Sequence, residues 1–112
     1  MNREFIYFKV FDKNWAVLEL TDADLSELEK AILTNPQVGK LIKGAGGLRK
    51  MRVPMVNRGK SGGARVLYTD FISHEKTILM NVYPKSVKDT ITEKQKQEYK
   101  KLIEQLSKEL NK

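Results

Sequence analysis

The sequence predicts an α+β fold: a small, antiparallel-dominated sheet in the order β-α-α-β-β-β-α, with its helices packed on one face. Runs of period-two alternation cluster in the second half of the chain with short gaps between them, which favours an antiparallel meander of the last strands. Two threonines each open a capping box ahead of an apolar stripe at helical spacing. The 112 residues, 40% apolar and 31% charged, make one soluble globular domain spanning 1–112 with a single modest core.

Each element has its own signal. Phe5 to Phe11 is aromatic and β-branched and reads as the first strand. Asp12 is placed as the cap of a short helix carrying Trp15, Val17 and Leu18, with Trp15 as core. Thr21-Asp-Ala-Asp24 starts a helix whose core face is Leu25, Leu28, Ile32 and Leu33, and Asn35-Pro36 ends it. A loop follows from Gln37 to Gly47, where Gly44, Gly46 and Gly47 call for special backbone angles or a close approach. Leu48 to Met55 reads as a strand with Lys50 and Arg52 on one face and Met51 and Val53 on the other. Asn57 to Gly63 is a basic loop. Ala64 to Phe71 and Thr77 to Tyr83 are strands joined by a hairpin loop, Ser73-His-Glu-Lys76. After an irregular stretch from Pro84 to Ile91, Thr92-Glu-Lys-Gln95 caps a last helix with the stripe Tyr99, Leu102, Ile103, Leu106 and Leu110. Helices on one face would leave the other free to present Lys50 and Arg52.

Charge locates the working surface. Lys30 to Thr69 holds nine Lys and Arg and no Asp or Glu, so the rest of this +7 chain sums to −2. Two segments set cations beside glycines: Lys43-Gly-Ala-Gly-Gly-Leu-Arg-Lys-Met-Arg52 and Arg58-Gly-Lys-Ser-Gly-Gly-Ala-Arg65. With a pI near 9.6, the pattern points to a polyanion partner. Other chemistries find little support. Gly59-Lys60-Ser61 lacks the glycine five residues earlier that a P-loop needs, since position 54 is Pro. A single His, His74, argues against a paired-histidine, zinc or Ser-His-Asp site. The carboxylates lie outside the basic block, which disfavours a two-metal nuclease. The chain has no Cys, no apolar run of membrane-spanning length and no signal-peptide pattern, so a cytoplasmic protein with no cofactor and no membrane partner is expected. If phosphodiester cleavage occurs here, the tools are Lys, Arg and Tyr, and an RNA would supply its own 2′-hydroxyl nucleophile. At the end of the last strand, Tyr83 and Lys85 share one side if the chain stays extended through Pro84, where an aromatic can stack on a base beside a cation.

Lys43-Gly-Ala-Gly-Gly-Leu-Arg-Lys-Met-Arg52, Gly59-Lys-Ser-Gly-Gly-Ala-Arg-Val-Leu-Tyr68 and Val82-Tyr-Pro-Lys85 together resemble the RelE/ParE toxin superfamily, most closely its HigB-like branch. The likeness covers nearly the whole chain. It implies a RelE-like fold and the toxin of a type II toxin–antitoxin system: a ribosome-dependent, metal-independent endoribonuclease that cuts mRNA in the A site. It also implies a cognate antitoxin, in HigB systems a helix-turn-helix HigA-like protein, with operator DNA bound only through the complex. Carried over by position, Lys50 and Arg52 match the paired cations that act as base and phosphate clamp, and Arg65 the arginine that stabilises transition-state charge. Tyr83 and Lys85 match the end of the last strand, for base stacking or proton transfer. Lys43, Arg49, Arg58, Lys60 and Tyr68 would contact RNA. Beyond Lys85 this chain reads Ser86-Val-Lys-Asp-Thr-Ile91, where family members often have Asn-Glu and an Asp-Leu pair. The rival readings are a ParE-like inhibitor of DNA gyrase and a non-catalytic basic nucleic-acid-binding module.

Overall fold

The computed structural model describes residues 3–55, 63–85 and 91–112. Its elements are β1 (Glu4–Tyr7), α1 (Lys9–Val17), α2 (Asp22–Thr34), β2 (Lys40–Leu41), β3 (Arg49–Val53), β4 (Ala64–Phe71), β5 (Lys76–Pro84) and α3 (Glu93–Leu110). The five strands form one sheet in the order β1-β5-β4-β3-β2. β3, β4 and β5 are the expected antiparallel meander. β1 pairs parallel with β5, and the two-residue β2 adds to the far edge inside what the sequence read as loop.

The first strand is shorter than its composition suggests. β1 stops at Tyr7, where its register with β5 ends opposite Leu79, and Lys9 to Phe11 are helical. On a helix Phe11 lies one turn from Trp15, and the rings stack with centroids 5.3 Å apart. Both side chains are buried, so packing overrides the local strand propensity of an aromatic run. Asp12 sits within the first turn; the N-cap is Phe8, which makes no side-chain cap bond. Both capping boxes form as read: Asp24 N–H donates to Thr21 Oγ1 at 3.1 Å, and Gln95 N–H to Thr92 Oγ1 at 3.1 Å.

The helices do not share a face. α1 and α2 cover one side, where Phe11, Trp15, Leu28 and Ile32 pack on Val53, Val66, Tyr68, Leu79 and Val82. α3 covers part of the other, where Ile103 joins Leu48, Leu67, Ile78 and Met80. β4 turns apolar side chains to both layers, Val66 and Tyr68 one way and Leu67 and Phe71 the other, so both faces need a cover. The expectation of a wholly free second face is therefore corrected: only the part beyond α3 is open.

Two internal features hold the sheet. Arg3 at the start of β1 reaches Asp70 on β4 with Nη1 2.5 Å from Oδ1, and both side chains are 3% exposed. The same Oδ1 accepts from Thr77 Oγ1 at 2.6 Å. The turn between β2 and β3 closes on α3: Gly46 has φ +71°, and a Cβ there would lie 3.0 Å from the Lys100 side chain. Gly46 is thus a close approach of chain to chain, while Gly44 and Gly47 serve the turn by their positive φ of +79° and +106°.

Candidate functional site

Register builds the site. Across three adjacent strands, Arg52 on β3 stands opposite Arg65 on β4, and Arg65 opposite Tyr83 on β5. Directly paired residues share a face, so the three form one row about 10 Å long at a strand spacing near 4.8 Å. Lys50, two residues before Arg52, adds a fourth member on the same side, opposite Leu67. Arg52 is exposed; Lys50, Arg65 and Tyr83 are half-buried. Arg65 is held between the fully buried Ala64 and Val66, so its backbone is fixed by the core.

Tyr83 owes its place to a β-bulge. The β4–β5 pairing runs Tyr68↔Leu79 and then Leu67↔Asn81, so Met80 is an extra residue on β5. Strict alternation from Leu79 would put Tyr83 on the α1–α2 side. The inserted residue shifts the phase, so Val82 joins Leu79 in that core and Tyr83 turns to the side of Met80 and Arg65. Asn81 secures the bulge: its Oδ1 accepts from Val82 N–H and from Asn14 Nδ2, each at 2.8 Å. Nothing in the sequence marked Asn81, because its role exists only in the ladder.

Lys85 extends the ladder by one bond, its N–H donating to the Gly63 carbonyl at 3.1 Å. Gly63 has φ +67°, and a Cβ there would lie 2.3 Å from the Val53 carbonyl oxygen, so only glycine fits at this junction. Lys43 lies exposed in the β2–β3 turn, beside Lys50 in a shared cleft. Arg58 and Lys60 lie outside the described residues.

Two proposed RNA contacts are corrected. Tyr68 is 0% exposed, on the α1–α2 side of the sheet. Its hydroxyl donates to the Pro36 carbonyl at 2.9 Å and accepts from Gly39 N–H at 2.8 Å, so it braces the loop before β2. Arg49 is its cross-strand partner on that same side, and its Nη1 donates to the Gly39 carbonyl at 2.8 Å. Alternation turns both away from Lys50 and Arg52.

Burial pushes the Tyr68 hydroxyl pKa up from 10, with the Gly39 bond and Arg49 opposing and Asp70 adding. Ionisation is then easier in the unfolded chain. This contribution to stability is whole below pH about 10 and falls as pH rises above it. Tyr68→Phe should remove that alkaline loss in thermal melts, while costing about 1–3 kcal/mol at neutral pH because the Gly39 N–H is left buried without an acceptor.

This sheet order, with helices on both faces, defines a RelE-like α+β fold. A free E. coli RelE toxin variant with two arginines replaced by alanine superposes with TM-score 0.56 at 16% identity, covering 80% of this chain and 90% of that one. The toxin–antitoxin complex RelBE of E. coli matches with TM-score 0.53 at 17% identity, covering 74% of this chain and 96% of that one. The chain belongs to the RelE toxin family: the family model described as the RelE toxin of the RelE/RelB toxin–antitoxin system matches residues 5–112. No helix among the described residues is long and apolar enough to cross a membrane.

Proposed function

We propose that this toxin is a ribosome-dependent, metal-independent endoribonuclease that cuts mRNA in the A site and so inhibits translation in the cytoplasm. The observation that carries the reading is the Arg52–Arg65–Tyr83 row with Lys50 beside it: three cations and a phenol on one open patch of rigid sheet. RNA supplies the nucleophile. The 2′-oxygen attacks the adjacent phosphorus and its proton passes to a base; the P–O5′ bond breaks and O5′ takes up a proton. A 2′,3′-cyclic phosphate and a 5′-hydroxyl result. The charge that grows on the non-bridging oxygens is met by Arg65, with Arg52 as a bidentate clamp. Lys50 is the candidate base, and Tyr83 stacks on a base or relays a proton, with Lys85 and Lys43 holding backbone phosphate.

The Leu48-Arg-Lys-Met-Arg52 and Tyr83-Pro-Lys85 motifs support reading the chain as a member of the HigB-like branch. Its partner is then a helix-turn-helix HigA-like antitoxin, and operator DNA is bound only by the complex. The test is translation of a defined mRNA in a purified bacterial system, with cut sites read by toeprinting and naked mRNA in a parallel tube. Cuts at A-site codons only during translation are expected. Cuts in naked mRNA would make it a free ribonuclease, and none in either tube would leave gyrase inhibition or plain nucleic-acid binding.

A further inference from the structure

Beside the cationic row, the β2–β3 hairpin and the start of α3 bound a cleft of about 250 Å³. Four lysines line it: Lys40, Lys43, Lys50 and Lys96. Its apolar wall is Ile42 and Ile91; Ile91 is 6% exposed and packed into the α3 core, so that wall is fixed. Lys40 and Lys96 come from elements distant in sequence, and only the fold sets them together.

The cleft is electrostatically unbalanced. Lys40 stands directly opposite Lys50 in the β2–β3 register, an arrangement that repels. Among the described residues no carboxylate lines the cleft. Lys96 Nζ touches Glu93 Oε1 at 3.2 Å, but that carboxylate is 84% exposed and so a weak, replaceable partner. α3 begins at this end, adding the partial positive charge of a helix N-terminus. Repelling cations over an apolar wall are what a nucleotide complements, phosphate to the lysines and base to the isoleucines. The cleft is also continuous with the row through Lys50. Lys50 and Arg52 lie two residues apart on β3, about 7 Å at the strand rise and near one nucleotide step of an extended strand.

We propose that this cleft is a nucleotide subsite next to the reacting phosphodiester, in which Lys40 and Lys96 hold a neighbouring phosphate and the base lies against Ile42 and Ile91. The inference rests on the nuclease reading of the adjacent row. A single-stranded RNA is favoured over an acidic protein segment because the cations run unbroken from the cleft into the row.

The experiment is a nitrogen-15 NMR titration of the whole chain with a 2′-O-methyl RNA pentamer, which cannot cleave itself, at several salt concentrations. Saturable shifts are expected at the amides of Lys40, Ile42, Ile91 and Lys96. In Lys40→Gln/Lys96→Gln, with peak dispersion unchanged, affinity should fall about tenfold, and the log–log salt slope should shrink by about 0.7 because one phosphate is no longer neutralised. Shifts confined to Arg52, Arg65 and Tyr83, with unchanged affinity in the double variant, would overturn the subsite and leave the nuclease reading standing. An acidic peptide that saturates the cleft where the RNA does not would also overturn it. Cleft shifts that vanish in the variant, from a protein that cuts nothing on ribosomes, would leave a nucleotide-binding cleft but overturn both its place beside a reacting phosphodiester and the nuclease reading.

Discussion

Arg65→Ala should lower mRNA cleavage on translating ribosomes by about 10²–10³-fold, the typical effect of removing a donor aimed at transition-state charge. Arg65 is the central member of its row, with Arg52 on one side and Tyr83 on the other. It is also the member whose backbone is most firmly held, between two fully buried neighbours. A donor fixed before the reaction needs no reorganisation when charge develops. Arg52 and Arg65 are like charges placed directly opposite each other, so relief of their repulsion should offset part of what the truncation removes from stability. Single-turnover cleavage, ribosome co-sedimentation and a thermal melt on the same preparation separate the effects. Cleavage reduced less than tenfold, or abolished together with ribosome binding, would place Arg65 in binding only.

Asp70→Ala is expected to be the most damaging single change to the fold, at about 3–5 kcal/mol, because it leaves the Arg3 charge buried and unpaired. At 3% exposure neither partner can turn to water. The change also strips Thr77 Oγ1 of its acceptor. In a domain of this size the melting temperature should drop by more than about 10 °C. The pair is not ideal, since Arg3 Nε and Asp70 Oδ2 are buried with no hydrogen-bond partner among the described residues. Replacing both ends with apolar groups should therefore recover most of the loss, as desolvation is then avoided on both sides. Denaturant unfolding of the single and double variants measures this directly. A double variant as unstable as the single one would show that the ion pair itself holds β1 to β4.

The cleavage reading draws on residues legible in the chain; the ion pair does not. Asp70 is the first acid after a forty-residue stretch without one, yet nothing in sequence tied it to Arg3, 67 positions away. Contacts of that range have no periodicity and no local spacing to announce them.

By itself the sequence determined the α+β class, the β3–β4–β5 meander, both capping boxes, the basic block and the resemblance to the RelE family. These rest on local rules: alternation, helical spacing, turn residues and charge along a short window. Tertiary structure decided the rest. Pairing with β5 cut β1 short and left Phe11 to a helix. A second apolar layer drew α3 to the opposite face from α1 and α2. Alternation about β3 and β4 sent Arg49 and Tyr68 into the frame, although their neighbours stay in the site. One inserted residue in β5 turned Tyr83 toward Arg65. In each case the outcome depends on which strand lies alongside and in what register, and a side chain's face is a property of the pair of strands rather than of its own segment.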